Sequence, residues 1–145
     1  MTIRTGTIAD ADDIVRMVGE FIGSTAYRLL FAFNPGLVRG LVDQVLEHGI
    51  VLLAEVEGET VGLLVALAWT HPLEGLPMCD EMIWWVNPAH RSGLVGPKML
   101  RCLEDWARQK GLQLCKMVAP AHSTVGEFYL RHGYVEVETS YVKRF

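Results

Sequence analysis

Pro88 to Leu100 carries a basic side chain near each end, Arg91 and Lys98, around two glycines, Gly93 and Gly96. The stretch leads from the apolar run Met82 to Val86 into a helical repeat that reaches Ala107. A strand, a short loop and a helix start aim unpaired backbone N–H groups at one point, and the helix dipole adds positive potential there. The chemistry this arrangement suits is anion binding, phosphate above all. Two glycines before a helix also close ordinary tight turns, so the rest of the chain has to decide.

Two phosphate motifs are excluded by their own requirements. A Walker loop needs Gly-Lys followed by a hydroxyl residue, whereas Gly96-Pro97-Lys98 interposes a proline and Met99 follows. A dinucleotide fingerprint needs an early βαβ unit with an acidic residue about 20 positions on, and here too little chain remains to finish a doubly wound sheet.

At 145 residues with half of them apolar, the chain suits one domain spanning 1–145 with a single substantial core. A net charge of −4 and no basic run argue against a nucleic-acid partner. The amino-terminal residues alternate polar and apolar, and no run of about 18 apolar residues occurs, so a cytoplasmic protein without a membrane partner is expected. Cys79, Cys102 and Cys115 lack C-x-x-C spacing and read as reduced, mostly buried thiols. His48, His71, His90, His122 and His132 never approach an H-E-x-x-H arrangement, so no metal is expected.

The elements that must position the loop follow from periodicity. Thr2 to Thr7 reads as a strand, and Asp10, Asp12 and Asp13 cluster where a helix start favours negative charge, as caps and solvated face. Ile14, Met17, Val18 and Phe21 give the first helix one apolar stripe. Gly23 to Asn34 has no clear period and reads as loop or broken helix. Pro35 restarts helical spacing with Leu37, Val38, Leu41, Val42 and Val45, and Gly49 ends it. Ile50 to Val56 and Thr60 to Trp69 form antiparallel strands about a turn at Glu57-Gly58-Glu59. His71 to Pro77, with two prolines and a glycine, is a loop. Met78 to Val86 is the fourth strand, and simple alternation puts Glu81, Ile83 and Trp85 on one face and Met82, Trp84 and Val86 on the other.

Val95, Met99, Cys102, Leu103, Trp106 and Ala107 stripe the third helix, which Gly111 ends. Leu112 to Val118 is a fifth strand, parallel to the fourth because a helix joins them. Thr124 and Glu127 suggest a capping box on a fourth helix closed by Gly133, and Tyr134 to Glu138 with Ser140 to Phe145 supply one bent strand or two short ones. The order implies a three-layer α/β/α sandwich with a mixed, mostly antiparallel sheet.

With these elements in place, the loop resembles motif A of the GNAT superfamily of N-acetyltransferases, Arg/Gln-x-x-Gly-x-Gly/Ala, matched at its ends by Arg91 and Gly96. Leu94 stands at the inner glycine's place and Gly93 one position earlier, so a positive φ, if needed, falls to Gly93. Pro97 removes one N–H donor but suits a first helical turn. Phe128-Tyr129-Leu130-Arg131-His132-Gly133-Tyr134 resembles motif B of the same superfamily, about 30 residues further on. Ile3-Arg4, the acidic residue before the first helix and Val86-Asn87-Pro88 extend the resemblance over essentially the whole chain. Within the superfamily, Trp84-Trp85, Glu104-Asp105-Trp106-Ala107 and the short length resemble the small bacteriophage-type members.

The resemblance implies the GNAT-like acyl-CoA N-acyltransferase fold, with a splayed parallel strand pair, and direct transfer of an acetyl group from acetyl-CoA to a primary amine. That amine belongs to a small molecule, a peptide N-terminus or a protein lysine. An amine of pKa about 10.4 must first lose a proton. Glu81, near the family's catalytic glutamate, is the candidate base, with Asp80 on the other face as its rival and a paired structural carboxylate as the alternative. Tyr129 matches the family's general acid, which returns a proton to a departing thiolate of pKa about 8.5; alone it would read as an aromatic packed on the sheet.

The same resemblance implies that the Val86 N–H faces the oxyanion, and that Arg91, Ser92, Gly93, Leu94, Val95, Gly96 and Lys98 meet the pyrophosphate. Pantetheine lies in the splay beside Tyr129. His122 stands where the family often has a cofactor-contacting asparagine, and of Trp84 and Trp85 one walls the acyl pocket while the other is core, with Trp85 counted among the cofactor-binding residues. The departures at Leu94 and Pro97 leave a second reading open, a non-catalytic member of the fold that binds acyl-CoA or a partner. The expected oligomeric state is monomer or homodimer.

Overall fold

The computed structural model describes residues 1–145. Its five strands are β1 (Thr2–Thr5), β2 (Gly49–Val56), β3 (Glu59–Thr70), β4 (Pro77–Val86) and β5 (Leu114–Lys116). Four helices accompany them, α1 (Ala11–Ser24), α2 (Pro35–His48), α3 (Val95–Gln109) and α4 (Val125–Arg131). The sheet runs β1-β2-β3-β4-β5, antiparallel throughout except for the parallel pair β4–β5.

Two apolar clusters cover the two faces of this sheet. Val95, Met99, Leu103 and Ala107 of α3 pack on Leu52, Ala54, Leu64 and Cys79. On the other side, Ile14, Met17 and Val18 of α1 and Val42 of α2 pack on Val51, Leu53, Leu63, Val65 and Trp85. The stripes expected at i, i+3, i+4 spacing therefore become the two outer layers, and removal of their apolar surface from water drives the assembly.

Local chemistry sets the joints. Glu57 and Gly58 both have positive φ, 53° and 83°, which gives the two-residue hairpin a twist matching its strands. Gly111 and Gly133, at φ 72° and 88°, close α3 and α4, with Leu112 N–H on Ala107 O and Tyr134 N–H on Tyr129 O as six-residue closures. Arg4 grips Asp10 at 2.7 Å and Glu55 at 2.6 Å, tying the start of α1 to the sheet and holding the Asp10 carboxyl below its ordinary range.

Four expectations are corrected. The ladder shifts register between Val65 and Ala66, so that Ile83 faces Val65, Glu81 faces Ala66 and Met82 is the extra residue of a β-bulge. Glu81 therefore does not share a face with Ile83 and Trp85. The residues after Arg131 form no strand, because Tyr134 to Phe145 find no partner backbone, and Val135, Val137, Tyr141 and Phe145 stay exposed. Thr124 makes no side-chain cap bond on α4, where Ser123 Oγ accepts from Val125 N–H instead. Finally, α1 runs on to Ser24 and a 3-10 turn at Ala26–Leu29 follows, so part of the expected loop is helical.

Gly49 and Gly40 test this packing in opposite directions. A Cβ at Gly49 would collide with the Ala66 carbonyl oxygen, whereas one at Gly40, inside α2, meets nothing within 4 Å. Thermal and denaturant melts of Gly49→Ala are expected to show a loss of about 2 kcal/mol or more, and those of Gly40→Ala a gain of about 0.5–1 kcal/mol.

Candidate functional site

The β4–β5 ladder pairs only Met78 to Asp80 with Leu114 to Lys116, and beyond it the strands part. Val118 stands at the mouth of this wedge. Its N–H donates to Glu81 Oε2 at 2.9 Å, and its carbonyl accepts from the Tyr129 hydroxyl at 3.0 Å. The structure thus brings Glu81, on β4, and Tyr129, on α4, to the two polar groups of a single residue.

Glu81 is 5% exposed, the one charged residue in the buried core. Burial pushes its carboxyl up to about 7, against the Val118 N–H, which favours the charged form, and with help from the nearby Asp80 carboxylate. Its Oε1 carries no hydrogen bond in the protein. Burial, then the Glu81 charge, raises the Tyr129 phenol, which stays protonated throughout the range where Glu81 titrates. Tyr129 stacks on Trp84 at 6.0 Å and meets Phe128 edge-on at 5.9 Å.

The bulge separates the neighbouring tryptophans. Trp84 packs on the α3 side, against Tyr129 and beside Gly96, and its buried Nε1–H has no acceptor, the kind of unsatisfied donor that functional sites retain. Trp85 lies on the α1–α2 side, where its Nε1 donates to Glu20 Oε2 at 2.8 Å. The Trp85 indole therefore does not face the wedge. It supports Arg91, whose guanidinium stacks 4.3 Å from its ring centroid while Nε donates to Val86 O at 2.7 Å. Asn87 N–H bonds Val61 O on β3, so by strand alternation the Val86 N–H points the other way, to the open edge.

Between Arg91 and α3, the backbone N–H groups of Ser92, Gly93, Leu94, Val95 and Gly96 donate to no acceptor within the chain. Five consecutive free donors at a helix start make a cradle of the kind that suits an anion. Leu94 sits at φ −86° and Gly93 has no positive φ, so the left-handed turn expected at one of them is absent. A 3-10 turn at Pro88–His90 reverses the chain instead. Pro97 costs one donor, and Lys98 is exposed beside the cradle. His122 adopts φ 60°, a left-handed conformation in which asparagine is also at ease, so the two residue types are interchangeable there on backbone grounds.

An acetyltransferase (GNAT) domain profile matches residues 47–136, from the last residues of α2 past both motifs. The chain belongs to the GNAT acetyltransferase family. Solved structures share the GNAT-like fold at low identity. A ribosomal-protein-alanine N-acetyltransferase from Brucella melitensis biovar Abortus 2308 superposes with a TM-score of 0.77 at 19% identity, covering 100% of both chains. An aminoglycoside antibiotic 6'-N-acetyltransferase from Acinetobacter haemolyticus gives 0.77 at 19%, covering 100% of this chain and 99% of that one. A transcriptional regulator from Bacillus halodurans C-125 gives 0.82 at 16%, covering 99% of each. No match was found among curated proteins. No helix of this GNAT domain is long and apolar enough to cross a membrane.

Two features of the site were missed from sequence. The β4–β5 register sets Cys79 directly beside Cys115, and the proximity of the two thiols raises Cys79 and lowers Cys115. Nothing in their spacing signals the pairing. Met82 and Ile83 also turn together to the α1–α2 side, where Phe21, Ile22, Tyr27 and Phe31 line a pocket over them.

The Glu81 carboxyl gives a pH signature of stability. Folded, it keeps its proton to about 7; unfolded, it releases it near 4.5, so its contribution is full below 4.5 and is lost as pH rises through 7. The loss is on the order of 3 kcal/mol. Glu81→Gln keeps the shape and removes the titration. Denaturant midpoints at pH 5 and pH 8 are expected to differ less in the variant than in the wild type, and parallel profiles would show that Glu81 ionises normally.

Proposed function

We propose that this GNAT domain transfers an acetyl group from acetyl-CoA to a primary amine by direct attack within a ternary complex. The convergence of Glu81 and Tyr129 on Val118, at the mouth of the β4–β5 wedge, carries this reading. The five free N–H groups from Ser92 to Gly96, with Arg91 at one end and Lys98 at the other, suit a pyrophosphate. In this reading a pantetheine arm lies along the unpaired edge of β4 beside Tyr129, with His122 as a further cofactor contact.

In this reading Glu81, with a carboxyl near 7 and a free Oε1, takes the ammonium proton directly or through water. The amine nitrogen then attacks the thioester carbonyl, and the outward Val86 N–H stabilises the oxyanion. As the carbon–sulfur bond breaks, the Tyr129 hydroxyl turns from Val118 O to give its proton to the departing sulfur, and the second proton of the attacking nitrogen returns through water to the tyrosine oxygen, leaving a neutral amide and a free thiol. The acceptor is a small molecule, a peptide N-terminus or a protein lysine, and the site is cytoplasmic. The likeness to the small bacteriophage-type members rests on Trp84-Trp85, on Glu104 to Ala107 and on length.

Pro97, which removes a donor from the cradle, favours a second reading, a member of the family that binds acyl-CoA without turnover. Calorimetry with CoA and acetyl-CoA, followed by thiol release over an amine panel, separates the two. Binding without turnover on any amine supports the second.

Two outcomes are expected of the first. Tyr129→Phe removes a proton donor and little packing surface, so it lowers kcat by between about 10- and 1000-fold while CoA affinity holds; an unchanged kcat would mean that solvent protonates the thiolate. Saturating CoA slows amide hydrogen exchange from Ser92 to Gly96, and unaltered exchange there would remove the pyrophosphate assignment.

A further inference from the structure

We infer that the acceptor is a monoamine with an apolar, ring-sized arm, and that this arm seats in the pocket over the β4 bulge. For its chemistry the inference rests on the acetyltransferase reading; for its binding it does not. Phe21, Ile22, Tyr27, Phe31, Met82 and Ile83, all apolar, line a pocket of about 150 Å³. An apolar cavity of about that volume holds benzene. The aromatic wall is continuous, with Phe21 and Tyr27 at 5.9 Å between centroids and Tyr27 and Phe31 at 5.7 Å. Tyr27, Phe31 and Met82 remain 41%, 45% and 49% exposed, a cluster of large apolar groups left open to an incoming ligand.

The pocket lies across the sheet from the proposed reaction centre, at the point of β4 where pairing with β5 has ended, so an arm seated there reaches the wedge past the unpaired edge of β4. Met82 and Ile83 form its floor, and Glu81, the preceding residue, points through the sheet to the wedge. A second apolar cavity of about 100 Å³ shares Met82 and Ile83 and continues under α2, so the lining gains no polar group with depth.

Charge narrows the class further. A second ammonium group has no carboxylate to meet in either lining, and burying an unpaired charge there is strongly unfavourable. An apolar lining without a carboxylate suits an arm that carries no charge beyond the reacting ammonium. Polyamines and aminoglycosides, with several ammonium groups each, do not match it.

The test reads binding and turnover separately. Protein labelled with methyl-¹³C methionine, with the Met82 signal assigned through Met82→Leu, is titrated with 2-phenylethylamine and with spermidine. The Met82 methyl signal is expected to shift with the first and not the second; no shift with 2-phenylethylamine overturns the inference. In thiol release, kcat/KM for 2-phenylethylamine is expected to exceed those for spermidine and kanamycin by on the order of 100-fold. A preference for either polycation also overturns it. A tetrapeptide with phenylalanine at its N-terminus runs in parallel, and the faster of the two acceptors tells whether the arm arrives on a free amine or a peptide. Phe31→Ser and Tyr27→Ser, at half-exposed positions, are expected to lower kcat/KM for 2-phenylethylamine about 10-fold or more with CoA affinity and melting temperature held. A Met82 shift without turnover on any amine supports the pocket and rejects the transferase reading, whereas turnover without a shift does the reverse.

Discussion

A single extra residue in β4, Met82, decides on which side of the sheet each later side chain of that strand falls. Before it, Cys79 and Glu81 look toward α3 and the wedge; after it, Ile83 and Trp85 look toward α1 and α2, and Trp84 turns back to Tyr129. Ladder pairing with β5 stops at Asp80, two residues earlier. Beside this distortion a parallel pair ends, a carboxylate faces the gap that follows, and two apolar side chains form a floor on the opposite face. Bulges bend and twist the strand that carries them, and in the gap Val118 bonds two side chains rather than a neighbouring backbone.

Burial acts on both of the groups that Val118 holds, with different results. For Glu81 it disfavours the anion and brings the carboxyl to the middle of the neutral range, while the Val118 N–H pulls back toward ionisation. For Tyr129 it disfavours the phenolate, so the group remains a donor. Each charge state also leans on the other, since an ionised Glu81 makes the Tyr129 proton harder to lose.

What periodicity governs was legible. The stripes of α1, α2 and α3, the turn at Glu57-Gly58 and the glycine closures at Gly111 and Gly133 each depend on residues close together in the chain. Motif spacing led to the row of free amides from Ser92 to Gly96 and to Tyr129, which the structure places at the strand gap beside Val118. The bulge was not, because Glu81-Met82-Ile83 reads as an ordinary strand and only the register against Val65 and Ala66 reveals the extra residue. Tyr134 to Phe145 has the composition of a strand, yet a strand exists only where another backbone accepts its hydrogen bonds. The contact of Cys79 with Cys115 and the meeting of Phe21 with Met82 likewise join residues far apart in sequence, which no local pattern encodes.

The two core clusters share no residue, and the sheet backbone stands between them. Trp85 is the one link, reaching from the α1–α2 side to Arg91. Away from it, this division separates substitutions among the α1–α2 side chains from the packing that holds α3. It also marks where a combinatorial library would do least harm: variation confined to Phe21, Tyr27 and Phe31 samples new shapes without touching the strand pair on which the rest of the machinery hangs.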